Sequence, residues 1–391
     1  MLAVWRQGHP LWAAPHRPFF AAAALWALLV PFIWFLPSGL GPEPVSWHSH
    51  EMLFGMGAAA MGGYLLTALP AWTGAGPVSP RVTRLLAALW LAGRFGSVID
   101  PPPPVALGTE AGYFVALGAF LSRQVVVAGA WHRMPLAMAP FILGALQLPA
   151  LPESGLSDVQ VIRIVPLFYA LLISIVGGRL VAAFTAHWVQ RHGATAALVD
   201  RRWISQAAVL SLIVAIALQL IGAEPAAGAL MILSGLLQFA RMLTWRSWQC
   251  RRYPALLMLH LAWLWLASGL ALVGFSLMSS AGPDTTSALH ALTMGAMGTM
   301  MVAIMGRPAM KRCGGRLLVS AEFSFAFAFV CLSAVARICA SLVEGDARPL
   351  LLQLAALLWI AGWLLFLHDF RHALRGPVER PVLSARIGDQ A

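Results

Sequence analysis

The sequence predicts an all-α polytopic membrane protein of about twelve transmembrane helices, with both termini in the cytoplasm. Three observations predict it. Of 391 residues, 60% are hydrophobic and only 10% are charged, where soluble domains carry roughly 25% charged residues; mean hydropathy is +0.77. Apolar runs of the ~20 residues needed to cross a bilayer recur along the chain. The loops between them alternate between arginine-rich and acidic. A transmembrane barrel would instead show alternating segments of ~10 residues, and the sequence has none.

Twelve candidate spans lie at approximately 18–37, 47–70, 82–99, 105–121, 134–151, 160–185, 203–221, 226–245, 254–279, 286–306, 317–342 and 349–369. One set of loops holds Arg6 and Arg17, Arg81 and Arg84, Arg123 and Arg133, Arg191, Arg201 and Arg202, Arg246, Arg251 and Arg252, Arg307, Lys311, Arg312 and Arg316, and the arginines after Asp369. The alternate loops hold Glu43, Asp100, Glu153, Asp158, Glu224, Asp284, Glu344 and Asp346, with Arg348 as the exception. Basic loops stay on the cytoplasmic side, so the alternation requires an even number of spans. The chain is read as one membrane domain, 1–391, with a short cytoplasmic N-terminus at 1–17 and a cytoplasmic tail at 370–391. The first apolar run lacks a small-residue cleavage site and is expected to remain as a helix.

A net charge of +11 raises the question of nucleic acid. The basic residues are short-loop arginines with one lysine, Lys311, and no basic-aromatic platform, so the expected partner is the lipid bilayer and no nucleic acid. The four cysteines, Cys250, Cys313, Cys331 and Cys339, form no CxxC or CxxCH. That spacing argues against a structural zinc site and covalent c-type haem.

Ionisable residues inside spans are costly and therefore mark function. The segment WHSHEMLFG, Trp47 to Gly55, opens the second span. At 3.6 residues per turn, His48 and His50 project about 200° apart, while His48 and Glu51 share a face. The segment thus offers two faces, with Ser46 as the expected N-cap; interfacial histidines at a helix start are the plain alternative. His290, Met294 and Met297 follow i, i+4, i+7 on the tenth span. Imidazole with thioether suits haem or copper(I), and a core methionine stripe is the competing reading. Arg94 and Arg179 need anionic partners within their spans: Glu110 and Glu322 are candidates, and a bound anion is the alternative. His260 is open between metal ligand, proton relay and satisfied core group.

Six segments in order resemble the NnrS family: RPFF (Arg17 to Phe20), WHSHEMLFG, GYLLTALPAWTG (Gly63 to Gly74), GGRL with FT (Gly177 to Thr185), HLAW (His260 to Trp263) and LHALTMGAMG (Leu289 to Gly298). The resemblance covers nearly the whole chain. It implies a bacterial inner-membrane protein carrying haem and copper, linked to denitrification and nitrosative-stress defence. Two departures stand out. Ala182 replaces a proline the family has after GGR-x-x, and KRCGG places Arg312 near an expected histidine. A weaker likeness, at the level of fold, is to the catalytic subunits of haem–copper oxidases and nitric oxide reductases, whose low-spin haem takes histidines from helices two and ten. Their paired histidines on helix seven are absent here, and Ala288 stands where a second haem ligand would be.

These resemblances imply haem b with His290 as one axial ligand and His48 or His50 as the other, and Arg94 and Arg179 toward its propionates. Copper would draw on Glu51, the spare histidine, His260 and Met297. The implied role is handling nitric oxide or a related small molecule, alone or with another respiratory or denitrification protein. A transporter of an anion or metal complex, or a sensor or accessory protein, is the alternative; no inverted repeat supports a transporter.

Overall fold

The structure is a computed structural model that describes residues 9–376, except 38, 40, 100–101, 148–157, 192–199, 280–282 and 314–315. Arg6, Asp100, Glu153, Arg380 and Arg386 of the loop pattern lie outside the described residues, as does the end of the expected span 134–151. The protein is all-α, with one two-stranded hairpin among the described residues. Ten helices there are long and apolar enough to cross a membrane: His16–Phe35, Pro44–Thr73, Pro80–Ile99, Gln160–Gln190, Arg202–Leu220, Glu224–Thr244, Pro254–Met278, Thr285–Met305, Ala321–Cys339 and Ala347–Arg375. The remaining two expected spans fall on the helices Pro103–Val127 and Met134–Leu146. The chain is a multi-pass membrane protein.

The chain divides into two compact units, one of Met1–Ile162 with Phe370–Ser384 and one of Arg163–Asp369 with Ala385–Ala391. In the first, Pro80–Ile99 packs on Pro103–Val127, which packs on Met134–Leu146. The rings of Phe19 and Phe20 lie where a side chain on Gly63 would sit, which accounts for the RPFF and GYLL segments together. Arg17 donates to the carbonyls of Pro10, 2.7 Å away, and of Gly376. In the second unit, Glu224–Thr244 packs on both Arg202–Leu220 and Pro254–Met278. A Cβ on Gly228 or Gly274 would strike the other's carbonyl oxygen, so this seam depends on glycine. Close backbone approach replaces the hydrophobic drive that lipid removes.

Among the described residues, three stretches wind as π-helix: Glu51–Gly57, Ile173–Gly177 and Ala291–Gly298. Each interrupts a span at a segment carrying the family resemblance or running directly into one. Such i→i+5 turns are rare and concentrate at functional sites.

Candidate functional site

In the first unit the second span begins at Pro44, whose missing N–H costs nothing in a first turn. The N-cap is Glu43, not Ser46. Its carboxylate accepts from the Ser46 amide at 2.6 Å and the Val45 amide at 3.0 Å. Those two hydrogen bonds hold the Glu43 carboxyl below its usual range. Sequence reasoning passed over Glu43 because the shorter serine is the commoner cap.

From this start the chain presents its two histidines differently. The ring of His48 lies 5.7 Å from that of Trp34. His50 turns to the other side, its ring 5.2 Å from Phe54. The expected separation of the two faces is therefore seen. The face expected to be shared by His48 and Glu51 gives way to a contact of Glu51 with its neighbour His50, because Glu51 opens a π-helical turn.

Glu51 organises the cluster. It is fully buried, and Arg94, 3% exposed, donates to its Oε1 across 2.6 Å. The indole of Trp26 donates to Oε2, also at 2.6 Å. Thus Glu51, and not Glu110, is the carboxylate that neutralises Arg94. The room for this comes from Gly55, where a Cβ would fall 2.7 Å from the Trp26 ring and 3.0 Å from the Arg94 guanidinium. Trp90 closes the pocket by donating to the Gly55 carbonyl at 3.0 Å.

The same Glu51 Oε1 lies 3.0 Å from His50 Nδ1. On the far edge of the ring, Nε2 faces the Gln147 side-chain amide at 3.3 Å and Glu110 Oε2 at 3.8 Å. A proton on Nδ1 satisfies this set: Nδ1–H donates to Glu51, and Nε2 accepts from the Gln147 amide. A carboxylate behind a histidine fixes the tautomer and the orientation of the ring. Gln147 and Trp26 escaped sequence reasoning. Gln147, a lone amide in an apolar run, carried a signal; Trp26 did not.

In the second unit, His290 ends the turn Thr285–His290, whose cap is Asp284, accepting from the Ser287 amide at 2.9 Å. His290 Nδ1 lies 2.7 Å from the Thr286 carbonyl oxygen. A carbonyl only accepts, so Nδ1 carries a proton and donates it, as His50 Nδ1 does to Glu51. The expected one-face stripe with Met297 does not survive the π-helical Ala291–Gly298, because i→i+5 winding takes i and i+7 off a common face. Met297 is buried and His290 half-buried. Gly295 is small because the Trp265 ring lies against it, and Gly298 because Trp359 does.

His260 is buried with both ring nitrogens engaged, Nε2 at 3.0 Å from Thr185 Oγ1 and Nδ1 at 2.9 Å from Ser247 Oγ. That describes a hydroxyl-satisfied core histidine or a relay, and it leaves no nitrogen for a metal. Arg179 is exposed. The buried cation of this region is Arg241, between the indoles of Trp245 and Trp263, each 4.9 Å from its guanidinium carbon. It donates to Gln238 Oε1 at 3.1 Å and to the Ser174 carbonyl, within the Ile173–Gly177 turn, at 3.3 Å. A Cβ on Gly178 would fall inside the guanidinium, which gives the second glycine of GGRL its physical reason. Among the described residues, no three of His, Cys, Asp and Glu stand together as a metal site. The family model described as NnrS protein matches residues 10–377. A comparison with curated proteins finds no match.

Proposed function

Because the chain belongs to the NnrS family, we propose that it is a multi-pass protein of the bacterial cytoplasmic membrane that binds haem b and handles nitric oxide or a related small molecule. One observation supports the reading above others. His50 and His290 each give Nδ1–H to an acceptor, Glu51 at 3.0 Å and the Thr286 carbonyl at 2.7 Å. Nδ1 is thus the nitrogen that anchors each ring, and Nε2 is the one an axial ligand uses; at His50, iron would take the place of the Gln147 amide. The donor chemistry of each imidazole therefore fits haem iron, and in the second span His50 is preferred over His48.

Bound haem would supply an iron that changes oxidation state. The protein's own contribution is positioning. Glu51 holds the His50 ring and its tautomer, and Arg94 and Trp26 hold Glu51. Arg94 is engaged by Glu51, so its part is to fix the carboxylate and not to meet a propionate. Copper is not carried into the proposal, since the described residues gather no three-ligand set for it.

The test is the absorption spectrum of protein purified after haem-replete expression. A Soret band is expected, and both His50→Ala and His290→Ala should shift or abolish it. Glu51→Gln should keep the band and shift the reduction potential of the haem. Absence of a Soret band in the parent protein, or a band unmoved by both histidine variants, overturns the proposal.

A further inference from the structure

The span Thr285–Met305 opens with a chain of directed hydrogen bonds that starts from a cation. Asp284 caps the first turn: Oδ1 accepts from the Ser287 amide and Oδ2 from the Ser287 hydroxyl, each at 2.9 Å. With its proton committed to Asp284, the Ser287 oxygen is left to accept, and Arg337 Nη1 donates to it, again at 2.9 Å. Ser287 is fully buried. Arg337 stands in the last turn of Ala321–Cys339, so the guanidinium is fixed where one span begins and another ends.

That place adjoins His290. Residues three apart on a helix are neighbours on one face, and Ser287 and His290 are three apart in the turn Thr285–His290. The His290 ring also folds back along that turn, because its Nδ1 lies 2.7 Å from the Thr286 carbonyl oxygen. Imidazole and guanidinium therefore stand at one level of the second unit.

Arg94 has the Glu51 carboxylate at 2.6 Å, and Arg241 lies between two indoles. Arg337 is half-buried, and among the described residues no carboxylate lies within ion-pair distance of it. Asp284 is exposed and reaches it through the Ser287 hydroxyl. The dipole at a helix C-terminus offsets only a fraction of a unit charge. A guanidinium inside a span is costly unless an anion joins it, and its fork matches the two oxygens of a carboxylate.

We propose that Arg337 receives a propionate of the haem whose iron His290 ligates, with Ser287 and Asp284 holding the guanidinium in position. The inference rests on the haem reading. It gives the propionate the partner that Arg94, engaged by Glu51, and Arg179, exposed on its helix, do not offer. Arg337 binds the cofactor's carboxylate and has no part in ligating iron.

The experiment titrates full-length, haem-free protein in detergent with iron protoporphyrin IX and, separately, with its dimethyl ester, whose masked carboxylates form no ion pair. Affinities are read from the growth of the Soret band. The parent should bind the free acid about tenfold more tightly than the ester, the worth of one charge-assisted pair. Arg337→Gln should bind both with the affinity of the ester, and Arg337→Lys should keep part of the preference. Both porphyrins are compared on the same variant, so a loss of stability drops out of the ratio. His290→Ala should weaken both alike, and Arg179→Gln should keep the preference whole. Equal affinity of the parent for the two porphyrins, or a preference that survives Arg337→Gln, overturns this inference and leaves the haem reading standing. Binding of neither porphyrin overturns both.

Discussion

Arg94 in the first unit and Arg241 in the second are both buried within spans, yet their charges are met differently. Arg94 has a carboxylate, Glu51, at 2.6 Å with both partners withdrawn from solvent. Arg241 has Asp200 only at 3.8 Å, and that carboxylate is 37% exposed; two indole faces and two neutral oxygens do the rest. The first arrangement is neutral and self-contained. The second keeps most of a positive charge and spreads it over aromatic faces and dipoles. A buried pair is fragile to loss of either member, whereas a cation held by rings degrades in steps.

The largest expected effect follows from the paired arginine. Glu51→Gln leaves Arg94 uncompensated and should cost roughly 3–5 kcal/mol, read as a lower thermal midpoint and yield in detergent. Adding Arg94→Met should restore most of that loss; failure to do so would mean that Glu51 matters mainly through His50 and Trp26. Next comes Gly178→Ala, which drives a methyl into the Arg241 guanidinium and should cost about 1–3 kcal/mol, the usual range for overpacking. In an Arg241→Met background the same change should become nearly silent. If it stays costly, Gly178 serves the neighbouring π-turn and not the arginine. Asp200→Asn should cost no more than about 1 kcal/mol, because the contact is long and solvent-screened; a larger loss would make Arg241 an ion pair after all.

The smallest effect concerns pH. The carboxyl of Glu43 is held below its ordinary value by the amides it caps. Its stabilising contribution is therefore fully present above the unfolded-state value near 4.5 and is lost as pH falls through the depressed folded value. Thermal midpoints of Glu43→Gln and the parent protein should differ at neutral pH and converge in acid. Parallel curves would place the cap's worth in geometry alone.

The architecture was largely legible beforehand because lipid leaves so few options: span length and loop charge together located every helix longer than a few turns. The site was legible only in part. His50, Glu51 and Arg94 were singled out as costly intramembrane groups, and they do stand together. Their partners were misassigned because helical-face arithmetic assumes 3.6 residues per turn. Glu51 and Met297 lie in wider turns that no local residue pattern announces. Arg241 is inconspicuous in the sequence, since what makes it special is a pair of tryptophans, one of them distant along the chain. Gln147 reaches His50 from almost a hundred positions away, a contact beyond any local pattern.

The wide turn at Glu51–Gly57 has a consequence for how this protein tolerates change in length. Each such turn holds about one residue more than an α-helical turn, so it takes up an extra residue while the helix beyond keeps its facing. Trimming one residue there would restore ordinary winding and leave Gly63 against Phe19 and Phe20, with the damage confined to the surroundings of Glu51 and Gly55. The same one-residue gap in the regular helix just beyond Ala58 has no wide turn to absorb it and would swivel the remainder of the span by about 100°.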